Sequence, residues 1–272
     1  MHRTYPAEGP QQLFVEIGSG EVSVTTADVD TVEIEVSGRN AEEVQIEQHR
    51  SQVDVIAPRG VGFRTGSSSL TVTITAPSGS DLVTKLGSAG IVGRGVFGAV
   101  RVTTGSGSVD LDEVVEPSSV KTGSGTIVVR RLHAECDLKT GSGEITVGRS
   151  DETARLSSGS GDIEVGQAHG AVSLKSGSGD LVVGTAGSDA LLSSGSGDLR
   201  IGRMSRGQAQ LKNASGDIRL GIPAGTPVWT DITSTTGRVR STLTPTGAPA
   251  EGQDFVEVRA KTVTGDVYLE QL

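Results

Sequence analysis

Gly-Ser-Gly followed by a carboxylate, as in SSGSGDIEVG at 157–166, has the residue types of three kinds of site. These are a nucleophilic serine, a phosphate-binding turn and a calcium loop. The serines are Ser106, Ser124, Ser142, Ser160, Ser178 and Ser196, and the carboxylates are Glu144, Asp162, Asp180, Asp198 and Asp217. A nucleophilic serine needs one base and one oxyanion hole built around it, and a serine repeated in every copy has no unique partner. A phosphate-binding loop needs G-x-x-x-x-G-K-[ST] opening a helix, and that string is absent. Stacked carboxylates are hard oxygen ligands, so a calcium ladder is one reading of the acidic column. The known calcium repeat, however, is G-G-x-G-x-D twice per coil. Here the acid follows glycine directly, and the other half of the repeat, such as GQAHGAVSL, has no matching acid. Lys139, Lys175 and Lys212 also stand across the corner. The column is therefore expected to be a solvated turn, and no metal or cofactor is expected.

Three arginines, Arg200, Arg219 and Arg240, recur in one outward column, with Arg203, Arg206 and Arg238 nearby. They read either as a docking patch for an acidic partner or as a checkerboard with Asp198 and Asp217. His2, His49, His133 and His169 share no metal-ligand spacing. Cys136 stands in a column of small apolar residues and reads as a packed thiol. Trp229 alone makes no aromatic platform of the kind that binds sugars.

The repeat that carries these residues sets the elements. The last glycine of each Gly-Ser-Gly falls at Gly107, Gly125, Gly143, Gly161, Gly179 and Gly197, in steps of 18. Degenerate copies end at Gly90, Gly216, Gly237 and Gly265, and an isolated copy ends at Gly20. After each corner the chain alternates, with Ile145, Ile163, Leu181 and Leu199 in one inward column and Val147, Val165, Val183 and Ile201 in the next. Before the corner, Leu138, Leu156, Leu174 and Leu192 form another. Each unit is strand, corner, strand, loop. Inward positions before and after the corner differ in phase, so a kink must reset the face, and glycine with positive φ is the expected device. The Thr/Ser column ahead of it (Thr122, Thr140, Ser158, Ser176) is placed to bond along the stack.

A unit this short cannot bury its apolar face alone, but stacked units can. The fold class is all-β: one chain wound into a parallel β-helix, or β-solenoid, of about 18 residues per coil. Ten such coils at about 4.8 Å would span roughly 50 Å. A left-handed hexapeptide helix would need an aliphatic residue every six, and the series Leu174, Asp180, Ala186 fails that test. Right-handed winding is expected from the handedness of parallel crossovers.

The ends differ from the repeat. Residues 1–11 read as a flexible N-terminus, and 12–85 as an irregular β-strand region continuous with the solenoid. Residues 86–272 read as the solenoid proper, with a Pro/Gly-rich insertion at 242–254. Segment 57–69 reads as a mobile loop. The last coil in sequence, with Glu257, Arg259, Lys261, Tyr268 and Glu270, is expected to close the stack with charged and bulky side chains.

The net charge of −9 over 272 residues gives no general attraction to nucleic acid or to an anionic membrane. One cysteine excludes an intrachain disulfide. The N-terminus has no apolar leader, and no apolar run is long enough to span a bilayer, so a cytoplasmic location is expected.

The repeated (T/S)-G-S-G-D-(I/L)-x-V, opened by VTITAPSGSDLVT and closed by VRAKTVTGDVYLE, resembles a bacterial family of adhesin-like β-strand-repeat proteins, a domain of unknown function. The resemblance spans 12–270 and implies a β-helix with no established activity. The expected function is a non-enzymatic, intracellular scaffold or interaction surface with an unidentified protein partner, as a monomer or small oligomer. The alternatives are a bactofilin-like self-assembling filament and a β-helix enzyme acting on polysaccharide.

Overall fold

Residues spaced 18 apart in sequence lie side by side in the computed structural model, which describes residues 1–58 and 69–272. Ile163 pairs with Leu181, Val165 with Val183 and Leu174 with Leu192, all in parallel register. The columns are thus ladders, and Ile163, Val165 and Leu174 are fully buried within them. Each such aliphatic side chain contributes about 1.5–3 kcal/mol, so the ladders supply most of the core, to which Phe97 adds a fully buried aromatic ring. The parallel β-solenoid expected from the columns is the fold that forms. The chain forms two compact units, 1–140 and 141–272.

In the second unit each coil has a leading strand before the corner and a trailing strand after it. The trailing strands Ile145–Ser150, Ile163–Ala168, Leu181–Ala186, Leu199–Met204 and Ile218–Ile222 form one parallel sheet. The leading strands Ala154–Ser158, Val172–Ser176, Ala190–Ser194 and Gly207–Lys212 form the other. Ser176 shows how a corner is held. Its hydroxyl donates to the Gly161 carbonyl of the preceding coil at 3.0 Å and accepts from the Gly179 N–H at 2.9 Å. Thr122 does the same for Gly107 and Gly125 in the first unit.

Glycine is needed at these corners for a different reason from the one expected. Gly179 is outside the left-handed region, but a Cβ there would run into the Gly161 carbonyl of the coil beneath. Close stacking of backbone on backbone, rather than positive φ, excludes a side chain; Gly197, at φ +146°, combines both demands. A second face reset follows at Gly184, where a Cβ would meet the Gly166 carbonyl. There the inward set passes from Leu181 and Val183 to Ala186, skipping one residue.

Stacking order and sequence order separate at the end of this unit. The strands Val256–Thr262 and Val267–Gln271 pair on one side with Gly207–Lys212 and Ile218–Ile222. On the other side they pair with Val228–Ser234 and Val239–Ser241. The last coil in sequence is therefore an inner layer, and the coil at 228–241 is the edge. This corrects the expectation that the charged coil bearing Glu257 and Glu270 closes the stack. The extended segment at 242–254 is long enough to step back across one layer of about 4.8 Å.

The first unit does the same at its own end. The strands Gln12–Ile17 and Gly20–Ala27 lie between the coil of Gln52–Ile56 and Leu70–Pro77 and the coil of Asp81–Leu86 and Gly90–Phe97. The Gly-Ser-Gly ending at Gly20, isolated in sequence, is thus in the stack: Val22 pairs with Ile91. Beyond it the sheets turn antiparallel, with Thr31–Gly38 on Leu70–Pro77 and Gln45–His49 on Gln52–Ile56. Residues 1–11, expected to be flexible, contain the strand His2–Pro6, which pairs antiparallel with Thr31–Gly38. Val32, Ile34, Val36 and Val44 are buried, and the Tyr5 hydroxyl donates to the Ile46 carbonyl at 3.0 Å, so this end is closed by its own chain. Of the loop expected at 57–69, residues 59–68 lie outside the described residues.

Candidate functional site

The Gly-Ser-Gly corners that recur every 18 residues turn their serines to solvent, as at Ser160 and Ser178, while Ser19 is half-buried. The histidines stand elsewhere, with His49 beside Glu47, His133 beside Glu113 and His169 beside Asp151, each at 3.1 Å. Cys136 is buried, and desolvation pushes its thiol up to about 12.

The acidic column has a structural task. The Asp162 carboxylate accepts the Asp180 N–H at 2.8 Å, and the Asp180 carboxylate accepts the Asp198 N–H at 2.8 Å. Asp198 then accepts from Asp217 at 2.7 Å, and Asp217 accepts from Asp266 at 2.9 Å. One oxygen of each carboxylate thus satisfies the backbone donor that the next corner leaves exposed. Among the described residues no group of three or more His, Cys, Asp or Glu is gathered as a metal cluster. The ladder makes a prediction. Asp180→Asn keeps the carbonyl acceptor and is expected to be nearly neutral, whereas Asp180→Ala loses about 0.5–1.5 kcal/mol in a urea titration. Equal losses for the two variants would show that charge, not the hydrogen bond, is what the column supplies.

The arginine column lies on the outward face of the trailing-strand sheet of the second unit. Arg200 is in register with Arg219, Arg219 with Tyr268, and Tyr268 with Arg240. The three arginines expected to be contiguous are therefore split by an aromatic ring from the inner coil. Tyr268 lies under both neighbours, with the Arg219 guanidinium 5.2 Å and the Arg240 guanidinium 5.8 Å from the ring centroid. Both distances are within cation–π range. The Tyr268 hydroxyl donates to Asp266 at 3.0 Å. The Arg238 N–H and then this hydroxyl hold the Asp266 carboxyl below its ordinary range, and Asp266 in turn pushes the Tyr268 phenol up. The expected checkerboard is partial: Arg219 reaches Asp217 at 3.4 Å, while Arg200 and Arg240 stand outside every ion pair among the described residues. Tyr268 was legible as a column member; its place between two arginines was not.

The first unit's outward face has the opposite character. Arg94 pairs with Asp110 at 2.8 Å, and Arg130 reaches Asp110 at 3.0 Å and Asp112 at 2.5 Å. The Arg94 hydrogen bond, opposed by partial burial, holds the Asp110 carboxyl below its ordinary range. There the arginines are spent on neighbouring carboxylates. In the second unit Arg200 is not, and Arg240 acts on Asp266 without a contact ion pair.

Residues 11–270 match the Toastrack DUF4097 family over almost the whole chain. The chain belongs to the Toastrack DUF4097 family. Solved structures similar to this Toastrack chain include a "putative adhesin" from Bacteroides fragilis, 14% identical, with a TM-score of 0.39 and coverage of 98% of this chain and 96% of that one. A "putative cell adhesion protein" from Clostridium sporogenes is 10% identical, with a TM-score of 0.22 and coverage of 100% and 99%. A "putative lipid binding protein" from Parabacteroides distasonis is 12% identical, with a TM-score of 0.36 and coverage of 100% and 96%. No curated protein matches the chain. The names of the first two are at odds with the cytoplasmic location expected above, which is corrected accordingly. That expectation rested on the lack of an apolar leader, and such a lack does not fix where a protein works. No helix among the described residues is long and apolar enough to cross a membrane.

Proposed function

We propose that this Toastrack chain is a non-catalytic interaction module whose binding surface is the arginine–tyrosine ladder of its second unit. The observation that supports it is the row Arg200, Arg219, Tyr268, Arg240, in which Arg200 stands outside every ion pair among the described residues and Arg240 acts on Asp266 only through longer-range attraction. A sheet face with cations one and two strand spacings apart suits an acidic polypeptide laid across the strands. The ring beneath two of the arginines orients them without neutralising them. The partner is an acidic protein segment, and poly-L-glutamate serves as its probe.

Biolayer interferometry with the full chain is expected to show salt-sensitive binding of poly-L-glutamate. Arg200→Ala with Arg219→Ala should weaken it about tenfold, as the loss of two surface charge contacts would. Binding unchanged in that variant would remove the ladder as the docking surface.

A further inference from the structure

The edge coil at 228–241 is built as an inner layer but has no strand beyond it among the described residues. Val239 is in register with Val267, and Val267 with Ile218, in a column whose other members are fully buried. Val239 itself is 50% exposed. Ile232 and Val228, in the matching column of the leading-strand sheet, are half-buried. Trp229, the sole tryptophan, is 53% exposed on the outward side of the same strand. Between the two edge strands lies a cavity of about 340 Å³, lined by Val228, Thr230, Ile232, Val239, Leu243 and Leu269 among others, with no charged residue in its wall. The segment leaving Ser241 is tied back where Thr244 bonds the Gln271 side chain at 2.9 Å, and Val239 stays exposed with that segment in place. The wall is half aliphatic and half Thr, Ser and Gly, and unpaired strand edges over such an uncharged opening are a template for another strand.

We propose that the occupant is a second copy of the same end, giving a tail-to-tail dimer related by a two-fold axis parallel to the strands. A coil that closes after two strands runs them in opposite senses. Such an axis therefore brings the Val228–Ser234 strand of one copy antiparallel against the Val239–Ser241 strand of the other, twice. One register satisfies both faces. Inward, Ile232 meets Val239 and Thr230 meets Ser241. Outward, Asp231 meets Arg240. Inward and outward positions follow from the register of each strand on the coil beneath. The other two-fold arrangement pairs each strand with its own copy, setting Asp231 against Asp231 and Arg240 against Arg240. Like charges directly opposite disfavour it. The contact is isologous, so it closes at two copies and does not grow into a filament.

The inference shares Arg240 with the acidic-partner reading, but Arg200 and Arg219 take no part in it, so their double alanine variant separates the two. Sedimentation velocity of the full chain over a concentration range is expected to show a monomer–dimer equilibrium ending at two copies, with Trp229 emission shifting on dilution. Asp231→Arg and Arg240→Asp should each weaken the dimer tenfold or more, and the double charge swap should restore most of the loss. Asp231→Asn and Arg240→Gln, gentler to the fold, should weaken it by a smaller factor in the same direction. Arg200→Ala with Arg219→Ala should weaken poly-L-glutamate binding about tenfold and keep the dimer. A chain monomeric at every concentration, growth beyond two copies, or a swap that restores nothing would each overturn the proposal.

Discussion

Leu174→Asp is expected to cost about 3–5 kcal/mol, because it places an unpaired carboxylate in a ladder closed on every side. Leu174 is fully buried and lies between Leu156 and Leu192 in the leading-strand sheet. An isolated charge there has neither water nor a cation within reach, and the stacked coils cannot open for it without losing their own contacts. Lys175→Asp, one residue on, is expected to stay within about 0.5 kcal/mol. Lys175 is exposed and its register neighbours are Ser157 and Ser193, so no like charge opposes the new carboxylate. Urea unfolding of the two variants beside the parent chain provides the comparison. Equal shifts in midpoint would contradict the assignment of inward and outward columns.

Those columns were legible in the sequence because a strand with one face buried must alternate, and stacking makes the alternation recur at a fixed interval. The Thr/Ser column was legible for a similar reason: a corner exposes backbone groups, and a small hydroxyl beside it can satisfy them. What alternation cannot carry is the identity of the neighbouring layer. Val256, Val258 and Ala260 fit an inward ladder against Gly207–Lys212 or against Val228–Ser234, and in the structure they lie between the two. The same ambiguity makes the Gly-Ser-Gly at Gly20 look isolated when it stacks beside the strand that starts at Gly90. Glycine is legible as a corner residue, but the reason is not conformation: at Gly161 and Gly179 the demand is the close approach of the preceding coil's carbonyl. At the candidate site the arginine column was visible and its composition incomplete. Tyr268 belongs between Arg219 and Arg240 only because a later coil is inserted beneath an earlier one.

The inserted coil also decides which of two equivalent valines the fold depends on. Val267 and Val239 occupy the same column, two residues after the last glycine of their corners. If stacking followed sequence, Val239 would be an inner residue and Val267 the outermost one. In the structure Val267 is fully buried between Ile218 and Val239, and Val239 is half exposed. Val267→Asp is therefore expected to cost about 3–5 kcal/mol, the cost of an unpaired charge in a closed layer. Val239→Asp is expected to cost less than about 1 kcal/mol, since its carboxylate reaches water at the edge. The measurement is urea unfolding of both variants and the parent at one dilute concentration, where dissociation of any dimer removes the partner's contribution to apparent stability. Amide hydrogen exchange gives an independent reading: protection along Val267–Gln271 should exceed that along Val239–Ser241, as a layer paired on both sides opens less often than an edge. A larger loss from Val239→Asp, with the stronger protection at 239–241, would return the last coil in sequence to the end of the stack and dissolve the Arg219–Tyr268–Arg240 row.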